Sequence, residues 1–170
     1  MPLENFKYKI RWSNFTTKEA RLTGEDEDAH IEVAPQANDM QGKGKDGKYK
    51  VSSIKLRIKV DKSASWVVKG TKNEELLKHE QGHYDLTAIG ARELYKRVLA
   101  LETDSKESLL SGIADLQTEV QELTDELNKL YDDQTDHSRK EARQIFWNTE
   151  ILATKNRTAG TLKEIKSKVK

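Results

Sequence analysis

His79 and His83 stand four residues apart in the string His79-Glu80-Gln81-Gly82-His83. On a helix that spacing puts both imidazoles on one face, where they can reach a single ion. Glu80 is one residue on, about 100° around the axis, so it stands beside such an ion rather than on it. This is the H-E-x-x-H pattern associated with metalloproteases, and the chemistry gives it sense. Zinc with three protein ligands and an open fourth position lowers the pKa of its bound water and polarises a carbonyl. A neighbouring carboxylate, here Glu80, then takes the proton as general base and delivers it to the leaving amine. The reaction predicted is hydrolysis of an amide bond with one Zn²⁺ ion.

The chain has no cysteine, which excludes disulfides, thiolate nucleophiles and Cys-ligated zinc. The remaining histidines are His30 and His137. Geometry selects His137 as the third ligand. From His83 to Leu101 a helix travels about 27 Å, and a returning helix covers the same 1.5 Å per residue. Counted from Ser105, it draws level with the motif near residues 123–126 and overshoots by about 9 Å at Asp132. A short segment from Asp133 to His137 can then fold back over the motif. Glu141 is a rival ligand, but its place in a helix-capping pattern gives it a structural task. His30 follows the acidic run Glu25-Asp26-Glu27-Asp28 and reads as exposed. Asp85 points about 200° away from His83 and reads as a structural hydrogen-bonding group. Tyr131, Arg139 and Arg143 flank His137 in sequence and are candidates to steady an oxyanion. The plainer role for each is surface or packing.

The elements that must position these residues divide the chain at Gly70. Before it, Tyr8, Ile10 and Trp12 alternate with Lys9 and Arg11, and Ile54, Leu56, Ile58 and Val60 alternate with Lys55, Arg57 and Lys59. Both patterns predict half-buried strands, the second more clearly. Ile31–Val33 and Trp66–Val68 are shorter candidates, and residues 35–48 read as a loop or hairpin tip. After Gly70 the period becomes helical. Thr71-Lys72-Asn73-Glu74, Asp104-Ser105-Lys106-Glu107 and Ser138-Arg139-Lys140-Glu141 are capping boxes that open three helices. Leu109, Ile113, Leu116, Val120, Leu123, Leu127 and Leu130 form an a/d seam, expected to pack on Leu94, Val98 and Leu101. The predicted architecture is α+β: a small N-terminal antiparallel β-sheet, a long helix with the H-E-x-x-H motif, an antiparallel return helix and a C-terminal helix. At 170 residues it reads as one metallopeptidase-like domain, β-rich over 1–70 and helical over 71–157, with a basic tail at 158–170 free to fray.

A net charge of +1 provides no field for nucleic acid. No apolar run reaches membrane-spanning length, and the start MPLENFKYKI lacks a signal-peptide pattern. The expected partner is a peptide or protein substrate. Two other readings use the same residues. The seam could serve a helical interaction module with a structural or degenerate zinc site, or the centre could hydrolyse non-peptide amides or esters.

The strings LLKHEQGHYDL, SASWV, IRWSNF and YDDQTDHSRKEARQIFWN together resemble the DUF922 family of bacterial proteins, described as candidate secreted zinc-dependent proteases. The resemblance spans roughly Tyr8 to Asn148. It implies a zincin-like zinc site at His79 and His83, a catalytic Glu80, and a histidine of the second motif at His137, in agreement with the geometric argument. It also implies export to the periplasm or beyond. The absence of a leader in this chain leaves a cytoplasmic location open, and the family supplies no substrate.

Overall fold

The computed structural model describes residues 3–170. It is α+β, with a mixed N-terminal β region followed by four helices. The strands are β1 (Leu3–Glu4), β2 (Thr16–Lys18), β3 (Ala29–His30), β4 (Val33–Lys45), β5 (Lys48–Val60), β6 (Trp66–Val68) and β7 (Glu102–Thr103). The helices are α1 (Glu74–Ala100), α2 (Lys106–Thr135), α3 (Glu141–Asn156) and α4 (Leu162–Val169).

The β region is two sheets rather than one antiparallel sheet. One has the order β1-β5-β4 with β7 also on β5, and the other the order β2-β6-β3. β1 runs parallel to β5, and β2 parallel to β6. The alternation in β5 is realised: Ile54, Leu56 and Ile58 are buried against α1 while Lys55 and Arg57 between them face solvent. Of residues 35–48, only the end is the expected hairpin tip, and the rest is strand rather than loop. β4 runs through most of them and pairs with β5 as a long ribbon. Its turn, Asp46–Gly47, has both residues at positive φ, the conformation that suits a two-residue hairpin connection. Hydrophilic composition concealed this strand because most of it is exposed on both faces. Residues 8–11, expected as a strand, join no ladder. The side chain of Gln81 accepts from the Ile10 N–H instead, at 3.0 Å.

Helix α1 is the centre of the molecule. One side carries Tyr84, Ala88, Ala91 and Leu94 into the cluster beneath β5. The other carries Leu86 and Ile89 into a second cluster with Leu127, Tyr131, Trp147, Ile151, Leu162 and Ile165. Being covered on two sides, it shows little of the one-sided pattern of a surface helix. Asn73 caps it, accepting from the Leu76 N–H, and Ser105 caps α2 in the same way. These lie two and one residues beyond the starts of the predicted boxes. The third box does not form: Ser138 has φ of 79° and α3 starts at Glu141 without a side-chain cap. The seam of α2 packs within the chain, with Leu109, Ile113, Val120 and Leu127 buried.

The basic tail contains a packed helix. Leu162, Ile165 and Val169 of α4 are buried, each contributing roughly 1.5–3 kcal/mol of apolar burial. Arg92 of α1 fastens the preceding link by donating to the carbonyls of Lys155, Thr154 and Gly160 at 2.7, 3.0 and 2.7 Å. Asp85 accepts from Lys155 at 2.6 Å and so joins α1 to α3, the structural task expected of it. None of the helices among the described residues is long and apolar enough to cross a membrane.

Candidate metal centre

His79 and His83 project from one face of α1 toward the C-terminal turns of α2. His79 Nδ1 lies 3.0 Å from Gln144 Oε1, and His83 Nδ1 lies 2.9 Å from Asn128 Oδ1. The Gln144 amide nitrogen is committed to Tyr131 Oη and Asn148 Oδ1, both acceptors, so its oxygen must face His79. Each imidazole therefore carries a proton on Nδ1 and turns Nε2 inward, as a lone pair in the neutral form that a metal requires. These two Nε2 atoms are 3.2 Å apart. Asp132 Oδ1 lies 3.0 Å from the first and 2.9 Å from the second.

In the metal-free protein a proton on His83 Nε2, donated toward Asp132, relieves the crowding of these three atoms; a metal would take that proton's place. The spacing fits a metal: ligands 2.0–2.1 Å from a tetrahedral zinc stand about 3.3 Å apart. His137 joins from the loop after α2, with Nδ1 3.7 Å from Asp132 Oδ1. His79, Asp132 and His137 form a group whose ligand atoms all lie within 4.8 Å of one another and could hold a metal ion. The donor set, imidazole and carboxylate, suits borderline divalent ions.

Asp132 was missed by helix counting. α2 continues to Thr135 instead of breaking near Asp132, and its last turns lie against the motif, with Asp132 touching both His79 and His83. His137 is reached by a tight reversal: Asp136, His137 and Ser138 all have positive φ, at 51°, 49° and 79°. Non-glycine residues held there cost of order 1–3 kcal/mol each. The surroundings fix the loop. The Lys140 N–H donates to Thr135 O at 2.8 Å, and Arg139 donates to the Asp26 carbonyl and meets Asp28 and Asp136.

Glu80 is 1% exposed and its Oε2 has no hydrogen-bond partner among the described residues. Burial raises its pKa to about 7. The neighbouring charge of His83 opposes the rise, while Asp132 and Glu27 add to it and the Ile31 backbone lowers it. Burial pulls His83 down, but the hydrogen bond and charge of Asp132, with help from Glu80, outweigh it and hold His83 at about 9. Burial is also the largest influence on His79 and leaves it below the ordinary histidine value, Asp132 notwithstanding. Asp132 is driven well below the carboxylate range: its burial raises it but is overcome by the two imidazoles, His79 and His83, beside it.

Glu80, His79, His83, Asp132 and His137 line a cleft of about 240 Å³ that is also lined by the stretch of residues 29–33. The cleft, and with it the placement of the centre, lies within the stretch matched by a family profile. That profile covers residues 12–138 and is described as a bacterial protein of unknown function, DUF922. The chain belongs to the DUF922 family. The match includes His79, Glu80, His83, Asp132 and His137 and ends before Gln144. No curated protein matches the chain, and no solved structure does.

Other residues singled out in this DUF922 chain fall around the cleft in different ways. Tyr131 lies behind the histidines, stacked on His79 with ring centroids 4.6 Å apart, and its hydroxyl donates to the His79 carbonyl at 3.2 Å. It is fully buried and positions the motif; it has no donor left for a substrate. Arg139 is engaged by the acidic loop, and Arg143 covers the ring of Phe146, so neither lines the cleft. His30 does line it, on β3, although its side chain is 44% exposed. Glu141 is exposed at the start of α3. Asn128 and Gln144, which orient the two imidazoles, left no sequence signal beyond being polar at inward helix positions.

Proposed function

We propose that this chain is a zinc-dependent hydrolase, most directly a peptidase, working at the cleft between α1, α2 and β3. His79, His83 and Asp132 hold one ion, and His137 closes over it from the loop after α2. When bound there, the ion supplies Lewis acidity, lowering the pKa of a water and polarising a carbonyl. Asn128 and Gln144 hold the two imidazoles in the tautomer that presents Nε2. Tyr131 fixes their planes from behind.

Glu80 carries the catalytic reading. It is buried, faces the cleft and has an oxygen with no partner. Its pKa of about 7 suits a group that accepts a proton from water and returns it to a leaving amine near neutral pH. A site that only braces the fold has no use for such a carboxyl. The stretch of residues 29–33 along the same cleft gives a peptide a surface on which to lie.

One observation favours a second reading. Four donors, His79, His83, Asp132 and His137, converge, and a shell closed by all four would make a structural ion. Glu80→Gln separates the two. The hydrolase reading expects unchanged zinc content and loss of turnover by at least about 100-fold on a mixed peptide digest. A zinc-loaded wild-type protein that cleaves nothing in peptide, amide and ester panels refutes hydrolysis.

A further inference from the structure

Next to the metal cleft lies a groove of about 630 Å³. α1 supplies its floor through Ala91 and Leu94, α2 one wall through Ile113 and Val120, and β4 with β5 the other. Thr87, Gln121 and Thr124 line both hollows, so the two are continuous. β4 passes both in turn: Val33 lines the cleft and the next residues, Ala34 and Pro35, line the groove. β4 is also the edge of its sheet, with its far side unpaired among the described residues. At the outer lip, Met40 is 42% and Leu110 52% exposed, both large apolar side chains turned to solvent.

We infer that this groove is the specificity subsite of the same centre: it takes a bulky apolar side chain of an extended polypeptide laid along β4, with the amide next to that residue over His79 and His83. The inference rests on the peptidase reading and adds the substrate class. Its occupant follows from the two chemistries side by side. The cleft end is polar and acidic, with Glu27, Glu32 and Asp125 around the donors. The groove is lined mostly by aliphatic side chains, with Gln117, Glu122 and the shared Thr87, Gln121 and Thr124 among its polar members, and an uncharged chain leaving the cleft passes those shared residues onto the aliphatic surface. An unpaired strand edge supplies main-chain bonds without regard to sequence, and the pocket beside it reads the side chain. Membrane lipid fits poorly, because the acidic cleft adjoins the groove.

The test uses binding, so that it does not depend on turnover. Zinc-loaded Glu80→Gln protein is incubated with extended peptides randomised at one position, and the retained peptides are sequenced. Leu, Phe and Met are expected to be enriched over Asp and Lys at that position by at least about tenfold. Ala114→Trp, at an exposed α2 position on the groove wall, is expected to erase the enrichment by filling the space. Leu110→Asp at the exposed lip is a second variant, expected to reduce it. A flat profile, or an enrichment that survives both variants, overturns the subsite. Selection abolished by both variants, with no cleavage of the same peptides by the unaltered protein, upholds the groove and refutes the peptidase reading alone.

Discussion

Residue chemistry at the centre turns on where protons sit before a metal arrives. In the metal-free protein His83 is held at about 9, so at neutral pH it carries a proton that a metal must displace. Zinc binding at pH 7.5 is therefore expected to release about one proton, measurable by calorimetry in buffers of different ionisation enthalpy. Release near zero would mean that His83 is already neutral or is not a ligand. The sign for stability follows from the same shift. The folded value is raised above the ordinary 6.5, so the His83–Asp132 pairing stabilises the metal-free fold fully below pH 6.5 and fades as pH climbs through about 9. Metal content tests the ligand assignment. Asp132→Asn and His83→Ala are each expected to lose most of the zinc. His137→Ala is expected to retain more, since its ring is farther from the other donors. If Asp132→Asn keeps its full zinc, Asp132 is not a ligand.

At the scale of elements, the site depends on how closely α2 approaches α1. Gly82, inside the motif, permits the approach: a Cβ there would lie 2.3 Å from Tyr131 Oη and 2.6 Å from the ring carbon that bears it. Gly82→Ala is expected to cost about 1–3 kcal/mol in urea unfolding, because Tyr131 is buried and cannot swing aside. The same change at Gly42 on the exposed ribbon, whose nearest neighbour would be 3.7 Å away, is expected to stay within about 0.5 kcal/mol. Equal effects at the two positions would contradict the packing argument. Gln144→Leu tests α3 as the support of His79. Losing the acceptor for Nδ1–H is expected to weaken zinc binding about 10–100-fold, with the helical circular-dichroism signal preserved.

For the whole molecule, a metal held at this centre would link parts of the chain that are remote in sequence. His79 and His83 come from α1, Asp132 from α2, and His137 from the loop beyond it. An ion that binds only the folded arrangement stabilises it by about 2.7 kcal/mol at 100 times its dissociation constant. For a chain of this size the thermal midpoint is expected to rise on the order of 5–10 °C with zinc and to fall back with chelator. His79→Ala should abolish that response, and a midpoint indifferent to zinc in the wild type would argue against any site. The second apolar cluster is closed by α4, so truncation after Arg157 is expected to lower the midpoint further than metal removal does.

The amino-acid sequence alone determined the pieces whose information is local. Two histidines at helical spacing with a glutamate between them state their geometry wherever the helix lies, and the alternation of Ile54, Leu56 and Ile58 states which face of β5 is buried. The placement of His137 near the motif was legible too, because chain length and helix rise bring that segment there. Tertiary structure decided what depends on angle and contact. Asp132 entered the centre because the packing of α2 on α1 sets it beside His79 and His83, where counting helix rise alone had put it beyond the motif. Tyr131 and the arginines were drawn into support by packing that sequence order does not encode. The exposed ribbon of residues 35–48 and the buried α4 reversed what their compositions indicated. For both, polarity was a poor guide because the pairing strand or the covering helix comes from elsewhere in the chain.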